Sequence, residues 1–470
     1  MPGEPLFAIP TCRLRDVGAA VEAYDQHFVR HGHALTMTVF DDSGLALRDR
    51  YFSRLARIKT KNELYYVGHG EKAALKERLC EKLRDRKLSA LVAGLFRPSY
   101  GGNRNFTLLY SLGRVLVSAD DDMRPYALVE DDGRDLGADE ICRGKVVPFD
   151  EAPREQHSFD IVGSFLDVLG KTAETIPEAY ARGDFLVDTA MDLETNTTRG
   201  FVRDNSLLLQ HGYVDGGAVV KMAQTFRSGT NDIDALDFLD MFLENEDQTN
   251  LDALSEVYVL GRFRPAVTNK NWRMDCGVAA YDNALGLPPF FPTRLRFEDY
   301  IYRLWIQQPG VVAAHVPAAQ NHTKSAYMRN PPASEIWNEE VANLLKRKIR
   351  GSLTSVGPLS LSFDYDGEVD AEDSDLILEK MLGLRRRVAA AAEASKNARR
   401  VEELMRFAFT LESVFSGFER DLFHYNLTRT LRDTVTTIKS SLELWPALLE
   451  ICDADARHDQ LPRTRIGAGN

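Results

Sequence analysis

Three consecutive aspartates, Asp120-Asp121-Asp122, close an apolar run, Val115-Leu116-Val117-Ser118-Ala119. Carboxylate oxygens are hard ligands. Two of them at one point suit Mg²⁺ or Mn²⁺, which keep coordination positions for substrate phosphates. A buried strand that stops in carboxylates sets them at the carboxyl edge of a sheet, where open α/β folds bind their ligands. An acidic turn in solvent is the plainer explanation of the same triplet. A second acidic pair, Glu298-Asp299, stands within Leu295-Arg296-Phe297-Glu298-Asp299-Tyr300-Ile301-Tyr302. Acids in the first turn of a helix also stabilise its dipole, so this pair has a structural explanation too. Two histidines follow. His315 lies in the apolar run Val311 to Val316, as core histidines do. His322 lies in the polar loop Gln320 to Lys324, which can reach a pocket.

The elements that must position these groups read as an α/β pattern. Leu6-Phe7-Ala8-Ile9 is a strand ending at Pro10-Thr11-Cys12. Val17, Ala20, Val21 and Tyr24 mark a helix, and Leu35 to Phe40 is a second strand stopping at Asp41-Asp42-Ser43. Strand, helix, strand and polar loop open a βαβ sheet. A helix follows around Leu45 to Leu55, then a strand at Glu63 to Val67 and a helix over Lys72 to Leu83. Gly101-Gly102-Asn103-Arg104-Asn105 opens another helix running to Leu112. Glycines before a helix leave backbone amides open to an anion. A flexible loop with Asn103 or Asn105 as N-cap explains them equally.

The order of these parts resembles the nucleotide-sugar-dependent glycosyltransferases of the GT-A type, in particular the large family 2. The matching pieces are Ile9-Pro10-Thr11, Phe40-Asp41-Asp42-Ser43, Gly101 to Asn105 and Asp120 to Asp122. Downstream, Met274-Asp275-Cys276-Gly277-Val278-Ala279-Ala280-Tyr281 is similar to the family's small-residue strand, with Cys-Gly in place of its Gly-Gly. Glu298-Asp299 is similar to its Glu-Asp motif. The match is good over 5–125, and residues 123–273 form a longer interval than the family's.

The resemblance implies an α/β fold with a Rossmann-like mixed sheet of the GT-A type, flanked by helices. It implies transfer of a sugar from a nucleotide diphosphate sugar, a UDP- or GDP-sugar, to a hydroxyl of a saccharide or other acceptor, with Mn²⁺ or Mg²⁺. Pro10, Thr11, Asp42, Asn103, Arg104, Asp120 and Asp121 would line the donor, Asp42 at base or ribose and Arg104 near the base. Asp120, Asp122 and a late histidine, His322, would serve the metal, with Asp122 the direct ligand. The first and last acids would be the functional pair, and Asp121 would point to the opposite face. Asp299 would be the base for an inverting transfer, with Glu298 its alternate or a hydrogen-bond partner. Retaining transfer shares nearly all these motifs. A sugar-phosphate nucleotidyltransferase is disfavoured because residues 9–16 lack a Gly-rich loop, and a non-catalytic scaffold because both acidic motifs are present.

Composition bounds the rest. The chain has 470 residues, 58 basic against 70 acidic, giving −12. That balance argues against nonspecific nucleic-acid binding. Five scattered cysteines without metal spacing, no leader-like N-terminus and no long apolar run suggest a cytoplasmic protein, with peripheral membrane contact if the acceptor is lipid-linked. Residues 1–330 read as the catalytic domain: 1–125 the donor half, 126–260 a variable insertion, 261–330 the acceptor half. Within the insertion, Lys145 to Phe149 and Ala218 to Phe226 read as strands, and 158–185 and Ala235 to Phe242 as helices. Residues 331–455 read as a C-terminal all-helical extension, with Ser334 capping a first helix to Ile349, Gly351 to Asp373 a connection, and 456–470 a disordered tail. Leu431, Val435, Ile438 and Leu442 form one apolar stripe that must be buried within the chain or across a homodimer.

Overall fold

The computed structural model describes residues 3–83, 85–125, 144–148, 159–172, 175, 181–182, 186–187, 209–210, 217, 219–227, 243, 256–260, 266–268, 276–293, 295, 298–299, 301–302, 311–319, 321–322, 333–357, 360–415 and 420–467. The first strand, β1 (Gly3–Thr11), leads into α1 (Leu14–His31) and β2 (Thr36–Asp41). Helix α2 (Arg48–Leu55), β3 (Leu64–Val67), α3 (His69–Leu83), α4 (Arg86–Leu95) and α5 (Tyr100–Tyr110) follow. Next come β4 (Arg114–Ala119), the short β5 (Met123–Arg124) and α6 (Ile161–Leu166). The later strands are β6 (Val219–Arg227), β7 (Val278–Asp282), β8 (Val311–Ala319) and β9 (Asn321–His322). Helices α7 (Ala333–Gly351), α8 (Ala371–Ala394), α9 (Ala398–Phe415) and α10 (Arg420–Arg457) precede a last strand, β10 (Thr464–Arg465).

Among the described residues ten strands form one mixed sheet, in the order β10, β3, β2, β1, β4, β7, β6, β8, then Ala266–Thr268 and Ala181–Arg182. Strands β3, β2, β1 and β4 run parallel, β7 runs antiparallel between β4 and β6, and β6 pairs parallel with β8. The α/β class with a helix-flanked mixed sheet is therefore as expected.

Alternation along the central strand explains the layering. In β1, Phe7 and Ile9 face one side with Met37, Val39 and Val117. They pack on Val17, Val21, Tyr24 and Phe28 of α1 and on α6. Leu6 and Ala8 face the other side with Phe40, Val67 and Leu116, beneath α3, α4 and α5. A strand apolar on both faces is what a covered parallel sheet requires. Helix α1 stops at Gly32, which takes the left-handed conformation (φ 75°) and donates its N–H to Phe28 O.

Several expectations are corrected. Helix α4, which the sequence reading left unassigned, packs Val92 and Leu95 into the core. Residues 158–185 are not one helix: α6 spans six residues and Ala181–Arg182 is a strand. The stretch read as a connection holds a hairpin, Leu353–Gly357 with Ser360–Phe363. Strands at Gly144–Pro148 and Val219–Arg227 match the expected ones, whereas the helix expected at Ala235 to Phe242 lies outside the described residues.

The C-terminal region is not a separable extension. At 38 residues, α10 is long enough to serve two cores. Its first half buries Phe423, Leu427, Leu431, Val435 and Ile438 against α7, α8 and α9. Its second half buries Leu444, Trp445, Leu448 and Cys452 on the α3–α5 face of the sheet, where Trp445 Nε1 donates to Leu287 O at 2.6 Å. The tail expected to be disordered returns to the sheet. Thr464 and Arg465 pair with Tyr66 and Tyr65 at the edge, and Leu461 and Ile466 are buried. The β3 edge is covered at these two residues by a strand too short to offer much edge of its own.

No helix among the described residues is long and apolar enough to cross a membrane. The apolar stripe is buried within the chain, and so Ile438→Asp should cost roughly 3–5 kcal/mol, the scale of a charge forced into a packed core. The melting temperature should fall steeply while light scattering reports an unchanged mass. A changed mass with unchanged melting would show that the stripe instead joins two copies.

Candidate active site

The acidic triplet follows β4 directly and does not continue it. Met123 N donates to Asp120 O at 3.0 Å, so the chain turns and the strand alternation ends at Ala119. The expected opposition of Asp121 to the other two acids does not hold as a result. Asp121 and Asp122 face the same cation, Arg13, with Arg13 Nη1 2.6 Å from Asp122 and Nη2 on Asp121. Thr11 Oγ1 also donates to Asp121 Oδ2. Asp120 turns instead to Arg104, whose Nη2 lies 2.8 Å from it. Asp121 and Asp122 are almost wholly buried, at 1% and 2% exposure, whereas the Asp120 side chain keeps 31% of its surface in water. The triplet is thus not a solvent turn, and Asp122 belongs to the core.

Arg104 joins the two acidic motifs. It is buried on α5. Its Nη1 donates to Cys276 O at 3.2 Å, and its Nε lies 3.5 Å from Glu298, so the guanidinium spans from Asp120 to Glu298. Its surroundings are these carboxylates and the Phe290 ring, 5.9 Å away. Glu298 and Asp299 are helical, Glu298 buried and Asp299 partly so, with the Asp299 charge acting on the Cys276 thiol.

Glycines 101 and 102 have a packing explanation. Both lie inside α5, which Ser99 caps by accepting from Gly102 N at 3.0 Å. A Cβ on Gly101 would overlap Phe291 O, and one on Gly102 would overlap Arg97 O. Ser99 takes the Gly102 amide, and neither Asn103 nor Asn105 is the cap.

The expected donor residues gather at the ends of β1 and β2. Thr11 and Pro10 end β1, with Pro10 in register with Phe40. Asp42 is 3.1 Å from Lys72 Nζ and accepts from Ser99 N at 3.2 Å. Asn103 accepts from Lys72 Nζ at 2.7 Å and donates to Phe40 O. Asp41 accepts from Tyr66 Oη at 2.7 Å. Strand β9 pairs with β5 so that His322 stands opposite Met123, which brings its backbone next to the triplet. The side chains of His322 and His315 lie outside the described residues. Arg13 and Lys72 were not anticipated. The only signal was a basic residue just past the Pro-Thr turn and one at the expected start of a helix.

Charge is unbalanced here. Among the described residues, the four carboxylates of Asp120, Asp121, Asp122 and Glu298 pair with two cations, Arg13 and Arg104. Burial raises the Asp120 carboxyl to about 6; Arg104 opposes the shift and the neighbouring acids add to it. Asp121 and Glu298 are raised by burial for the same reason, against Arg13 and Arg104 respectively. Burial alone would lower Arg13, but Asp121 and Asp122 outweigh it. Lys72 is lowered by burial despite Asp42. A hard cation fits this acid excess at Asp120, the carboxylate open to water. Asp122 could join only by releasing Arg13. Among the described residues the triplet does not form a preassembled set of three ligands.

Compared with protein-family models, curated proteins and solved structures, the chain matches none.

The raised Asp120 has a pH consequence. Its folded value, about 6, exceeds the unfolded value of about 3.9. The native state therefore holds more protons between those values, and stability falls as pH rises from about 4 to about 6. Asp120→Asn should flatten that fall by about 1–2 kcal/mol, allowing for the water around this carboxylate. Urea midpoints of both proteins at about pH 4 and about pH 7 read it, and parallel curves would exclude the shift.

Proposed function

We propose that this chain is a metal-dependent glycosyltransferase of the GT-A type, moving a sugar from a nucleotide diphosphate sugar to an acceptor hydroxyl with inversion. The observation that carries this reading is Arg104, held between Asp120 and Glu298. It makes one acidic centre from two motifs far apart in sequence, at the carboxyl ends of parallel strands where open sheets bind ligands. The parallel order β3, β2, β1, β4 followed by an antiparallel strand also supports it.

The division of labour follows from exposure and charge. Asp120 is accessible and only weakly acidic, and so can exchange a proton for a cation near neutrality. A divalent ion bound there would neutralise the charge that develops on the leaving diphosphate. Thr11, Asp42 and Asn103 line the nucleoside side, with Lys72 holding Asp42 and Asn103 in place. Asp299, more open than Glu298, takes the proton of the acceptor hydroxyl as it attacks. Glu298, tied to Arg104, orients the centre. The backbone of His322, the expected metal histidine, lies beside β5.

Thermal shifts with UDP, GDP and their sugars, with and without Mn²⁺, test donor binding, because a ligand of the native state raises apparent stability. A rise with one nucleotide family that needs Mn²⁺ is the expected result. No rise with any nucleotide or nucleotide sugar would sink the reading. Asp299→Asn should then lower transfer by about 10²–10⁴-fold with little change in donor affinity. If donor affinity collapses instead, Asp299 belongs to the donor site and the base lies elsewhere.

A further inference from the structure

A second cluster of ligating groups lies at the other end of α1, about 20 Å from Arg13 by helix length. His27 and His31 stand one turn apart on α1, and His33 follows Gly32 just after the helix. All three turn a ring nitrogen toward Asp160, the residue that begins α6. His33 Nε2 lies 2.8 and 2.9 Å from the two carboxylate oxygens. His27 Nε2 lies 3.2 Å from Oδ1 and His31 Nδ1 4.0 Å from Oδ2. The rings of His27 and His31 are 4.5 Å apart, and one ligand atom from each of His27, His31 and Asp160 lies within 4.8 Å of the others.

Two observations separate this cluster from an ordinary polar contact. His27 is 2% exposed, and its Nε2 makes no hydrogen bond of good geometry. A buried polar atom left in that condition calls for an explanation, and an ion is one. The carboxylate is also held from behind: Gly163 N donates to Asp160 Oδ1 at 2.8 Å, and a Cβ on residue 163 would overlap the carboxyl group. The glycine leaves room for the carboxylate to face the histidines.

We propose that His27, His31, His33 and Asp160 form a structural site for a borderline transition-metal ion, Zn²⁺ foremost, which fastens α6 to α1. Three imidazoles and one carboxylate are the donor set that Zn²⁺ takes in tetrahedral geometry, whereas Mg²⁺ and Ca²⁺ prefer oxygen ligands throughout. Ligand atoms about 2.0–2.1 Å from a tetrahedral ion lie about 3.4 Å from one another. The His27 and His33 contacts with Asp160 are already that close and the His31 contact is longer by about half an ångström, while the His33 ring, 6.4 Å from each of the other two, would have to swing inward to complete the set. Helix α6 packs on β6, β7 and β8, so the site would tie the start of the chain to strands formed much later. It requires nothing of the aspartates beyond β4.

The full-length protein, purified without a histidine tag, is stripped with a chelator and titrated with Zn²⁺ alone and with Co²⁺ alone. One equivalent of Zn²⁺ should bind and raise the melting temperature, and Co²⁺ should give the visible absorption of a tetrahedral site. His31→Gln and His33→Gln, at partly buried positions that tolerate an amide, should each weaken Zn²⁺ binding at least about tenfold. His458→Gln, at an exposed residue far along the chain, should leave it unchanged. Asp120→Asn should leave Zn²⁺ binding unchanged even where it abolishes Mn²⁺-dependent nucleotide binding. The proposal is overturned if neither metal binds, if binding survives both histidine substitutions, or if Asp120→Asn removes it.

Discussion

A guanidinium in a protein does not give up its proton, so burying Arg104 obliges the fold to supply anions. They come from two places. Asp120 arrives at the end of β4 and Glu298 in a helical segment much later in the chain. Strand β7 fills the space between them: Gly277 O accepts from Asp120 N at 2.8 Å, and Cys276 O accepts from Arg104. The turn after β4, the register of β7 against β4 and the placement of Glu298 are thus parts of one electrostatic solution. Buried ion pairs of this sort add little net stability over apolar packing, but breaking one partner is expensive. Arg104 accordingly specifies the arrangement of the acidic centre more than it strengthens the fold.

The same logic explains why the centre is left acidic. Among the described residues, four carboxylates share two arginines as ion-pair partners. Burial, with smaller help from the neighbouring acids, holds the carboxyls of Asp120, Asp121 and Glu298 above their ordinary values. Arg13 spends its charge on Asp121 and Asp122, and Arg104 is shared. An anionic diphosphate would be repelled by this surface unless a cation came between them. On the proposed donor, a cation would come in at Asp120, the carboxylate that water can reach.

The sequence was informative where periodicity and position are local. The alternation of Leu6, Phe7, Ala8 and Ile9, the spacing of Val17, Val21 and Tyr24, and the run into Asp120 each depend on a few neighbouring residues. The stripe from Leu431 to Leu442 was legible for the same reason. What it packs on was not, because α7, α8 and α9 lie far from it in sequence. The tail misled because a two-residue edge strand carries too little pattern to distinguish it from coil, and its partner is residues 65–66. Burial of Asp121 and Asp122 was invisible too. Acids read as exposed until a cation is known to meet them, and Arg13 meets them only after β1 and β4 have paired. The twin glycines were read as open to a ligand, but backbone carbonyls of Phe291 and Arg97 occupy that space.

Helix α1 therefore separates two polar sites of different chemistry. Beside its first turn, carboxylate oxygens gather around two arginines. At its last turn, nitrogen donors converge on one carboxylate. A helix C-terminus favours protonated histidine, which would repel a metal. Burial works the other way at His27 and lowers its affinity for a proton, with Asp160 opposing. Metal binding needs the neutral ring. Burial thus favours, at the deepest of the three histidines, the neutral ring that coordinates. Hard ions have no reason to prefer the imidazole end, nor soft ones the carboxylate end. Two cations of different classes could serve this one chain without exchanging places, one for reaction and one for shape.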